Sequence, residues 1–450
     1  MRKKIVSVLL TTAMVTAMLA GCGGKDTTAS SDGSEKSPSA EAGSSSGDEI
    51  TLKVFSNLPD RKNGQGLVEQ KIIDEYMEEN PNVKIEVEAL DEEAYKTKFK
   101  AYSMEGLPDV VSIWGQPAFL DEVLDAGVLA ELNESDYDDY GFVSGSLEGF
   151  KKDGKLYGLP RNTDVAGFYY NQKMFEDNGW EVPKTYDELL ELAGTIKDAG
   201  YIPLAMDGGD GWPMAVYLSD LLYKVAGSDY SSIVSNAVAT GDFTDSSIVK
   251  ATELLKETAD AGLFQNGYDS QDYATAQNLF INGQAAMYYM GSWDASMALN
   301  EDIDEDIRTN IRVFTMPVVD GGKGTATDIA AWNGGGYGVS ASSEHKDEYK
   351  DEAIKFLNYM YQPDKLSKYG WENGVGMSAQ DQSAYMTGDE TELQMQFVDA
   401  VNNATSVSGT PINDCGPSAF KTGIESEIQS VSNGSMSVDD FLSSIGKACQ

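Results

Sequence analysis

Tryptophan and carboxylate side chains are the groups in this 450-residue sequence whose positions point to chemistry. Trp114 ends the apolar stretch PDVVSIW, Trp293 stands in GSWD, and Trp212 follows a Gly-rich loop in DGGDGWP. Trp332 precedes three glycines in AAWNGGGYG, and glycines let a backbone approach a ligand closely. Such rings can cover an apolar face of a ligand, while carboxylates accept hydrogen bonds from it. Packing in a core is the alternative for each ring.

The sequence shows no recognisable combination of catalytic residues. His345 is the single histidine, lies in the polar run SSEHKDEYKDE, and cannot build a metal site or a triad by itself. The G-x-S-x-G match at 43–47 falls in a low-complexity stretch. Because the chain has 73 acidic residues, pairs of carboxylates alone do not indicate glycoside hydrolysis. We therefore expect no catalytic residues, no metal and no cofactor.

Strands and helices alternate along the chain before and around these groups. TLKVFS, VKIEVEAL and PDVVSIW are predicted strands, and GLVEQKIIDEYMEENP and a stretch through Phe99 are predicted helices between them. This β-α-β-α-β order predicts an α/β fold with a mostly parallel sheet, and such sheets bind ligands at the carboxyl ends of their strands. Residues 57–61 and 114–116 follow two of those ends, so they are site candidates.

The second half of the chain carries more helical signals, with strands between them. In PKTYDELLELAGTIKDAG, Thr185 is the predicted N-cap and Glu188 occupies the capping-box position. The β-like segments AAMYYM, IRVFTMPVV and GGYGVS are scattered among helices. We expect strands from distant parts of the chain to complete two sheets.

Length and charge limit the architecture and the partners. About 400 residues are too many for one core and predict two lobes of roughly 150 to 200 residues each. The net charge is −40, and it becomes −43 when the basic N-terminal segment 1–21 is removed, so nucleic acid and anionic lipid are not expected partners. Cys415 and Cys449 either pair as a disulfide or remain two free thiols.

The N-terminal segment 1–48 predicts export and anchoring. Three basic residues precede the apolar run 5–20, which is short for a membrane span and typical of a signal peptide. Small residues before Cys22 in LAGCGG resemble the lipobox of bacterial lipoproteins, in which the cysteine receives diacylglycerol and becomes the mature N-terminus. Residues 23–48 have no aromatic or branched aliphatic side chain and are predicted to be a flexible tether. The expected location is the extracellular face of the cell membrane, as in Gram-positive lipoproteins.

Several stretches together resemble one family from about residue 50 to the end. GLPDVVSIW, AGVLAELNE, the YGLP to YYN spacing, LFINGQAAMYYMGSWD and GGYGVSASS are similar to extracellular solute-binding lipoproteins of carbohydrate ABC importers. The resemblance implies a periplasmic-binding-protein-like fold related to maltose-binding protein, with two α/β lobes, several crossovers and a ligand cleft between the lobes. It also implies a monomer that delivers a sugar or oligosaccharide to permease subunits. A surface-anchored glycosidase, or a polyamine- or metal-binding protein of the same fold, is the alternative.

The resemblance and the chemistry of sugars together give the expected site and lobes. Asp164 lies six residues before Tyr170, where maltose-binding proteins place a sugar-binding carboxylate, and Arg161 falls at the first crossing between lobes. The first lobe is expected at 49–162 and about 331–378, and the second at about 163–330 and 379–450. The expected ligand-binding residues are Asn57, Asp60, Arg61, Trp114, Gln116, Arg161, Asp164, Asp207, Trp212, Trp293, Asp294, Trp332, Asn333, Trp371 and Asp414.

Overall fold

A computed structural model describes residues 49–341 and 347–450, so Cys22, the predicted tether through residue 48 and His345 lie outside the described residues. The strands are β1 (Ile50–Ser56), β2 (Val83–Ala89), β3 (Val110–Trp114), β4 (Lys151–Lys152), β5 (Lys155–Leu156), β6 (Leu159–Pro160), β7 (Thr163–Asn171), β8 (Ile202–Ala205), β9 (Ala285–Gly291), β10 (Ile311–Phe314), β11 (Asp328–Ile329), β12 (Ala331–Asn333), β13 (Gly335–Val339) and β14 (Ser406–Val407). The helices are α1 (Gly64–Glu79), α2 (Glu92–Glu105), α3 (Pro117–Asp125), α4 (Gln172–Asn178), α5 (Tyr186–Asp198), α6 (Trp212–Ala226), α7 (Tyr230–Thr240), α8 (Ser246–Asp260), α9 (Tyr273–Ile281), α10 (Glu305–Arg308), α11 (Asp347–Met360), α12 (Leu366–Glu372), α13 (Glu392–Asn402), α14 (Ser418–Ser432) and α15 (Val438–Ala448).

The first sheet has the strand order β2-β1-β3-β13-β6. β1 runs parallel to both β2 and β3, as the β-α-β-α-β order predicts. β13 comes from a much later part of the chain and pairs antiparallel with β3 and β6. The prediction of a mostly parallel sheet is therefore confirmed for the first three strands and wrong for the strands that return later.

The second sheet has the order β10-β7-β9-β8, and β12 also pairs with β7. Only β8 and β9 are parallel, while β7 is antiparallel to β9, β10 and β12. AAMYYM forms β9 and GGYGVS forms β13, so distant segments complete both sheets as predicted. IRVFTMPVV is a strand only over Ile311–Phe314.

Each sheet carries its own hydrophobic core, and the two sheets define a first and a second lobe. In the first lobe, Val54, Ile72 and Val110 are buried in one cluster. In the second lobe, Phe168 and Tyr169 of β7 lie in two different clusters, because successive side chains of a strand point to opposite faces. The second sheet is therefore covered on both faces.

Helix α5 begins with the capping box that the sequence predicts. The Glu188 backbone N–H donates to Thr185 Oγ1 (3.2 Å), and the Thr185 N–H donates to Glu188 Oε2 (3.3 Å). These reciprocal bonds form the predicted capping box.

Three chain segments cross between the lobes side by side. The Arg161 N–H donates to Gly335 O (2.8 Å), and the Thr163 N–H donates to Met377 O (2.9 Å). Residues 161–163 consequently lie between 333–335 and 377–379. The expected lobe limits near residues 162, 331 and 378 remain predictions.

Within the described ranges, Cys415 and Cys449 are free thiols, so the unpaired alternative holds in this structure. No group of three or more metal-ligating side chains is found in that part of the chain. None of its helices has both the length and the apolar character needed to cross a membrane.

Candidate ligand-binding cleft

A cleft of about 1240 Å³ lies between the two lobes. The first lobe lines it with residues that follow β1 and β3, including Asn57 and Gln116, at the carboxyl ends of parallel strands. The second lobe lines it with the start of α6, the start of α9, the turn after β9, and α14. Groups far apart in sequence therefore meet around one space large enough for a ligand.

Four aromatic side chains of the second lobe form a continuous series, here called the aromatic row: Tyr273, Trp212, Trp293 and Trp332. The ring centroids are 6.5 Å apart for Tyr273 and Trp212, 5.8 Å for Trp212 and Trp293, and 6.2 Å for Trp293 and Trp332. All four rings line the cleft and are only partly buried. They offer an apolar surface that a core ring would not expose.

Two glycines make room for the aromatic row. A Cβ on Gly291 would lie 2.0 Å from the Trp293 ring, so the glycine of GSW allows that ring to fold back over the end of β9. Gly211, just before Trp212, has φ of +77°, and a Cβ there would lie 2.1 Å from the Glu425 carbonyl oxygen. The Trp293 position thus depends on a neighbouring residue without a side chain, and Gly211 lets the start of α6 approach the α14 backbone closely.

The first lobe contributes one tryptophan to the cleft, Trp114 at the end of β3. Its ring lies edge-on to Tyr95 (5.7 Å between centroids) and Phe119 (5.1 Å). The Lys96 ammonium sits 5.6 Å from the Trp114 ring centroid. One part of the ring therefore packs in the lobe while another borders the cleft.

Asp164 is a buried carboxyl group beside the crossing between lobes, with 5% of its surface exposed. Its Oδ1 accepts a hydrogen bond from Asn162 Nδ2. Burial raises the pKa of Asp164 to about 7, although the Arg161 charge and the Asn162 bond oppose the rise. A Cβ on Gly334 would lie 2.2 Å from Asp164 Oδ2, so only glycine fits against this carboxyl group.

Asp294 is also buried at the cleft, but donors from its own lobe already bond to both of its carboxylate oxygens. It accepts hydrogen bonds from the Tyr273 hydroxyl, from Gln277 Nε2 (3.2 Å) and from the Tyr288 hydroxyl (3.0 Å). Burial raises the pKa of Asp294 to about 6, while these three donors oppose the rise. Asp294 therefore fixes Tyr273 at one end of the aromatic row.

Three amide side chains around the cleft each have a buried acceptor oxygen without a hydrogen-bond partner: Asn57, Gln116 and Asn413. Gln116 Nε2 donates to Asn333 O (2.9 Å), and Asn413 Nδ2 donates to Glu425 Oε1 (2.7 Å). These donations fix the orientation of both amides. A buried acceptor without a partner is costly, and a donor from a ligand would remove that cost.

Two basic residues of the cleft, Lys421 and Lys96, are held by acidic neighbours. Lys421 Nζ lies against Asp414 and is 2.9 Å from Glu425 Oε1. Lys96 Nζ is 2.6 Å from Glu92 Oε1 and 3.0 Å from Glu93 Oε1. Both ammonium groups are therefore neutralised within their own lobes.

Most of the expected site residues surround this one cleft, and their roles in binding remain predictions. The expected residues that line it are Asn57, Asp60, Trp114, Gln116, Arg161, Asp164, Trp212, Trp293, Asp294, Trp332 and Asp414. The expected residues outside the lining set are Arg61, Asp207, Asn333 and Trp371.

The four outside residues have partners in the protein. Arg61 pairs with the buried Glu69 and donates to Gln70 Oε1 (3.1 Å). Trp371 is 5% exposed and donates through Nε1 to Glu390 Oε1 (3.1 Å).

Asp207 and Asn333 each accept a hydrogen bond from a residue that lines the cleft. Asp207 is fully buried and accepts the Asp210 N–H (3.1 Å), and burial together with the Asp210 charge raises its pKa to about 9. Asn333 Nδ2 donates to Ser146 O (3.1 Å), and its carbonyl oxygen accepts the Gln116 amide.

Sequence reasoning missed several residues that line the cleft: Lys96, Tyr273, Gln277, Asn413, Lys421 and Glu425. Asn413 is adjacent to Asp414, which is one of the expected ligand-binding residues. Tyr273 begins helix α9, and no local pattern distinguishes it from other tyrosines.

Comparison with known proteins gives consistent matches. Residues 62–365 match the family model described as bacterial extracellular solute-binding protein. The chain is 27% identical over 337 residues to a multiple sugar-binding protein of Streptococcus mutans, covering 73% of this chain and 75% of that protein. A chitin oligosaccharide binding protein superposes with a TM-score of 0.78 at 25% identity, covering 90% of this chain and 98% of the other. A structure from work on xylan utilization by Caldanaerobius polysaccharolyticus gives a TM-score of 0.80 at 25% identity, covering 88% and 99%.

Proposed function

Because the chain belongs to the family of bacterial extracellular solute-binding proteins, we propose that it binds a sugar or oligosaccharide between its lobes and delivers it to the permease of an ABC importer. The observation that carries this proposal is the aromatic row along one wall of the cleft, with carboxyl and amide groups beside it. Sugars have apolar C–H faces and many hydroxyl groups, so they need flat rings together with hydrogen-bond acceptors.

The similar proteins support a carbohydrate ligand. Two of them are named for binding multiple sugars and chitin oligosaccharide, and a third comes from work on xylan utilization. The volume of about 1240 Å³ exceeds the range of roughly 300 to 1,000 Å³ typical of small-molecule pockets. This size favours an oligosaccharide over a single sugar ring.

The proposed roles follow from the geometry. Trp293 and Trp212, at the centre of the aromatic row, cover sugar faces, and Trp114 covers one from the first lobe. Asp164 accepts hydroxyl groups through its oxygen that Asn162 does not engage. Asp294 acts indirectly, by holding Tyr273.

If this function is correct, the sugar is recovered chemically unchanged, because the protein binds it and does not hydrolyse it. We would follow the thermal unfolding of the purified chain against oligosaccharides, monosaccharides, polyamines and divalent cations, since a ligand that binds only the native state raises its stability. The expected result is a rise in Tm with oligosaccharides and intact sugar after long incubation. A rise with polyamines alone would contradict the proposal, and sugar cleavage abolished by one carboxylate substitution would establish a glycosidase.

Anchoring through lipid on Cys22 is part of the proposal and is supported by the sequence LAGCGG. A lipid followed by a flexible tether would keep the binding lobes beside the permease. We expect Cys22→Ala to leave unprocessed precursor or shed protein, without altering the sugar affinity of the purified lobes. Normal processing and membrane retention of the variant would overturn the lipobox interpretation.

A further inference from the structure

Negative charge dominates the residues around the cleft. Eleven acidic and four basic residues line it. The basic residues are Lys96, Lys100, Arg161 and Lys421. The field inside the cleft is therefore set by carboxylates, and low-dielectric walls strengthen such a field.

Three of the four basic groups are already engaged. Lys96 lies against Glu92, Glu93 and the Trp114 ring, and Lys421 lies between Asp414 and Glu425. The Arg161 guanidinium lies over the Tyr337 ring, 5.3 Å from its centroid, with Nη1 3.3 Å from the Tyr337 hydroxyl.

Lys100, the remaining basic residue, is exposed on α2 at the rim of the cleft. An exposed ammonium group stays hydrated and interacts weakly with other charges. Recognition of a carboxylate or sulfate normally uses a guanidinium or ammonium group, whereas in the described part of the cleft the two deeper lysines are paired with carboxylates and the Arg161 guanidinium is held against the Tyr337 ring.

Most of the unpartnered polar atoms have the opposite preference. The Asn57, Gln116 and Asn413 amide oxygens are acceptors, so they suit the hydroxyl donors of a neutral sugar, and Gln65 Nε2 is the single unpartnered donor among the described lining residues. A carboxylate has no proton to donate and would place its charge among the eleven acidic side chains that line the cleft.

We propose that the cleft selects neutral oligosaccharides and excludes otherwise equivalent sugars that carry a carboxylate or sulfate group. This inference rests on the proposed function, because it assumes that the ligand is a carbohydrate. Placing like charges together in a desolvated site costs several kcal/mol. A single acidic group should therefore weaken binding by about 100-fold or more.

The test uses matched pairs of ligands and the full chain. Maltotetraose, galactotetraose and chitotetraose are compared by calorimetry with counterparts in which one C6 hydroxyl is oxidised to a carboxylate. For each neutral sugar that binds, the oxidised form should bind about 100-fold more weakly at low salt, and the ratio should shrink at about 0.5 M salt as charges are screened. Equal or tighter binding of the oxidised sugar overturns the selectivity. Failure of every neutral oligosaccharide, including those in the wider thermal screen, overturns the proposed function and the selectivity together.

Variants assign the selectivity to the cleft. Glu425→Gln removes one neighbour of Lys421, and the double change Glu92→Gln with Glu93→Gln releases Lys96. Each should reduce the ratio of the two dissociation constants by about tenfold. If Glu425→Gln does not fold, the double variant tests whether carboxylates of the cleft cause the selectivity.

The matched control releases a lysine outside the cleft. Lys173 pairs with Asp177 at 2.7 Å on α4, and neither residue lines the cleft. Asp177→Asn makes the same change in net charge as Glu425→Gln and should leave the ratio unchanged. A ratio that falls equally in the control and the cleft variants would show that net charge alone sets the preference, which overturns the proposal.

Discussion

The two walls of the cleft are built from different chemistry. The second lobe presents the aromatic row, in which four rings continue one another at spacings of 5.8 to 6.5 Å. The first lobe presents Trp114 and the amides Asn57 and Gln116 at the ends of β1 and β3. The wall of the second lobe offers flat apolar area, and the wall of the first lobe offers hydrogen-bonding groups that orient the ligand.

This difference follows from the elements beneath each wall. Parallel strands end in loops whose side chains point to the ligand edge, which suits polar residues. The aromatic row needs broad support, which the packed start of α6, β12 and the turn after β9 supply. We therefore expect the second lobe to supply most of the affinity and the first lobe to supply selectivity and closure.

Two buried aspartates that line the cleft extend the comparison. Asp294 has three donors from its own lobe, whereas Asp164 has one hydrogen bond, from Asn162. A carboxylate whose acceptor positions are filled by protein groups serves the scaffold. Asp164 has a carboxylate oxygen without a protein donor, so it is suited to accept a hydrogen bond from a ligand.

The largest expected effect is the loss of a ring from the aromatic row. Trp293→Ala should weaken sugar binding by roughly 2 to 4 kcal/mol, the range of interface hot spots, because it removes buried apolar area between two other rings. Trp293→Phe should restore part of the loss. Calorimetry measures both, with Tyr201→Ala, an exposed aromatic outside the cleft, as the control. Unchanged affinity in Trp293→Ala would mean that the row does not carry the ligand.

The next effect concerns Asp164. Asp164→Ala should cost about 1.5 to 3 kcal/mol of binding, since hydrogen bonds to a charged group are stronger than neutral ones. Asp164→Asn should cost less and should change the preference among sugar epimers, because the geometry of acceptance changes. Titration with epimeric sugars tests this, and an Ala variant that binds like the parent would place the site elsewhere.

The pH dependence of affinity should follow the same residue. With the pKa of Asp164 at about 7 in the free protein, hydroxyl donors from the ligand favour the charged form and lower this pKa. Affinity should therefore rise by up to about tenfold between pH 6 and 8. Asp164→Asn should remove this rise, whereas a rise that persists in that variant would point to another group.

Stability should change with pH in the opposite direction. The folded-state pKa of Asp164 lies above its unfolded value of about 3.9, so the stability linked to its protonated form is complete below about pH 4 and is lost as pH rises through about 7. The ligand-free Asp164→Asn variant should consequently unfold at a higher temperature than the parent at pH 8. Calorimetric scans at pH 6 and 8 would show whether the difference between the two proteins grows with pH.

The smallest effects belong to the amides. Gln116→Ala in the first lobe and Asn413→Ala in the second should each cost about 0.5 to 1.5 kcal/mol of binding, the usual net value of a neutral hydrogen bond. Gln116→Ala should alter selectivity among sugars more than Asn413→Ala does, if the polar wall sets direction. A loss from either amide as large as that from Trp293→Ala would contradict the division between the walls.

The local pattern of the sequence determined much of the fold. A β-rich stretch predicted β1, alternation predicted β2, helical periodicity predicted α1, and the capping box placed the N-cap of α5 at Thr185. These features depend on residues within a few positions of one another, so they can be read from the chain directly. Tryptophans close to glycines in the sequence also indicated cleft positions, and Trp212, Trp293 and Trp332 all line the cleft.

Only the tertiary structure decided which of the candidates meet. Trp371 and Asp207 were expected in the site, yet both are buried and neither lines the cleft, while Tyr273 reaches the cleft without any local signal. The antiparallel return of β13 beside β3 joins segments from opposite halves of the chain. Gly334 and Asp164 are likewise in contact although they are far apart in the sequence. Burial, partner choice and the pKa of Asp164 arise from such long-range contacts, because desolvation depends on everything packed around a group and not on its neighbours in the chain.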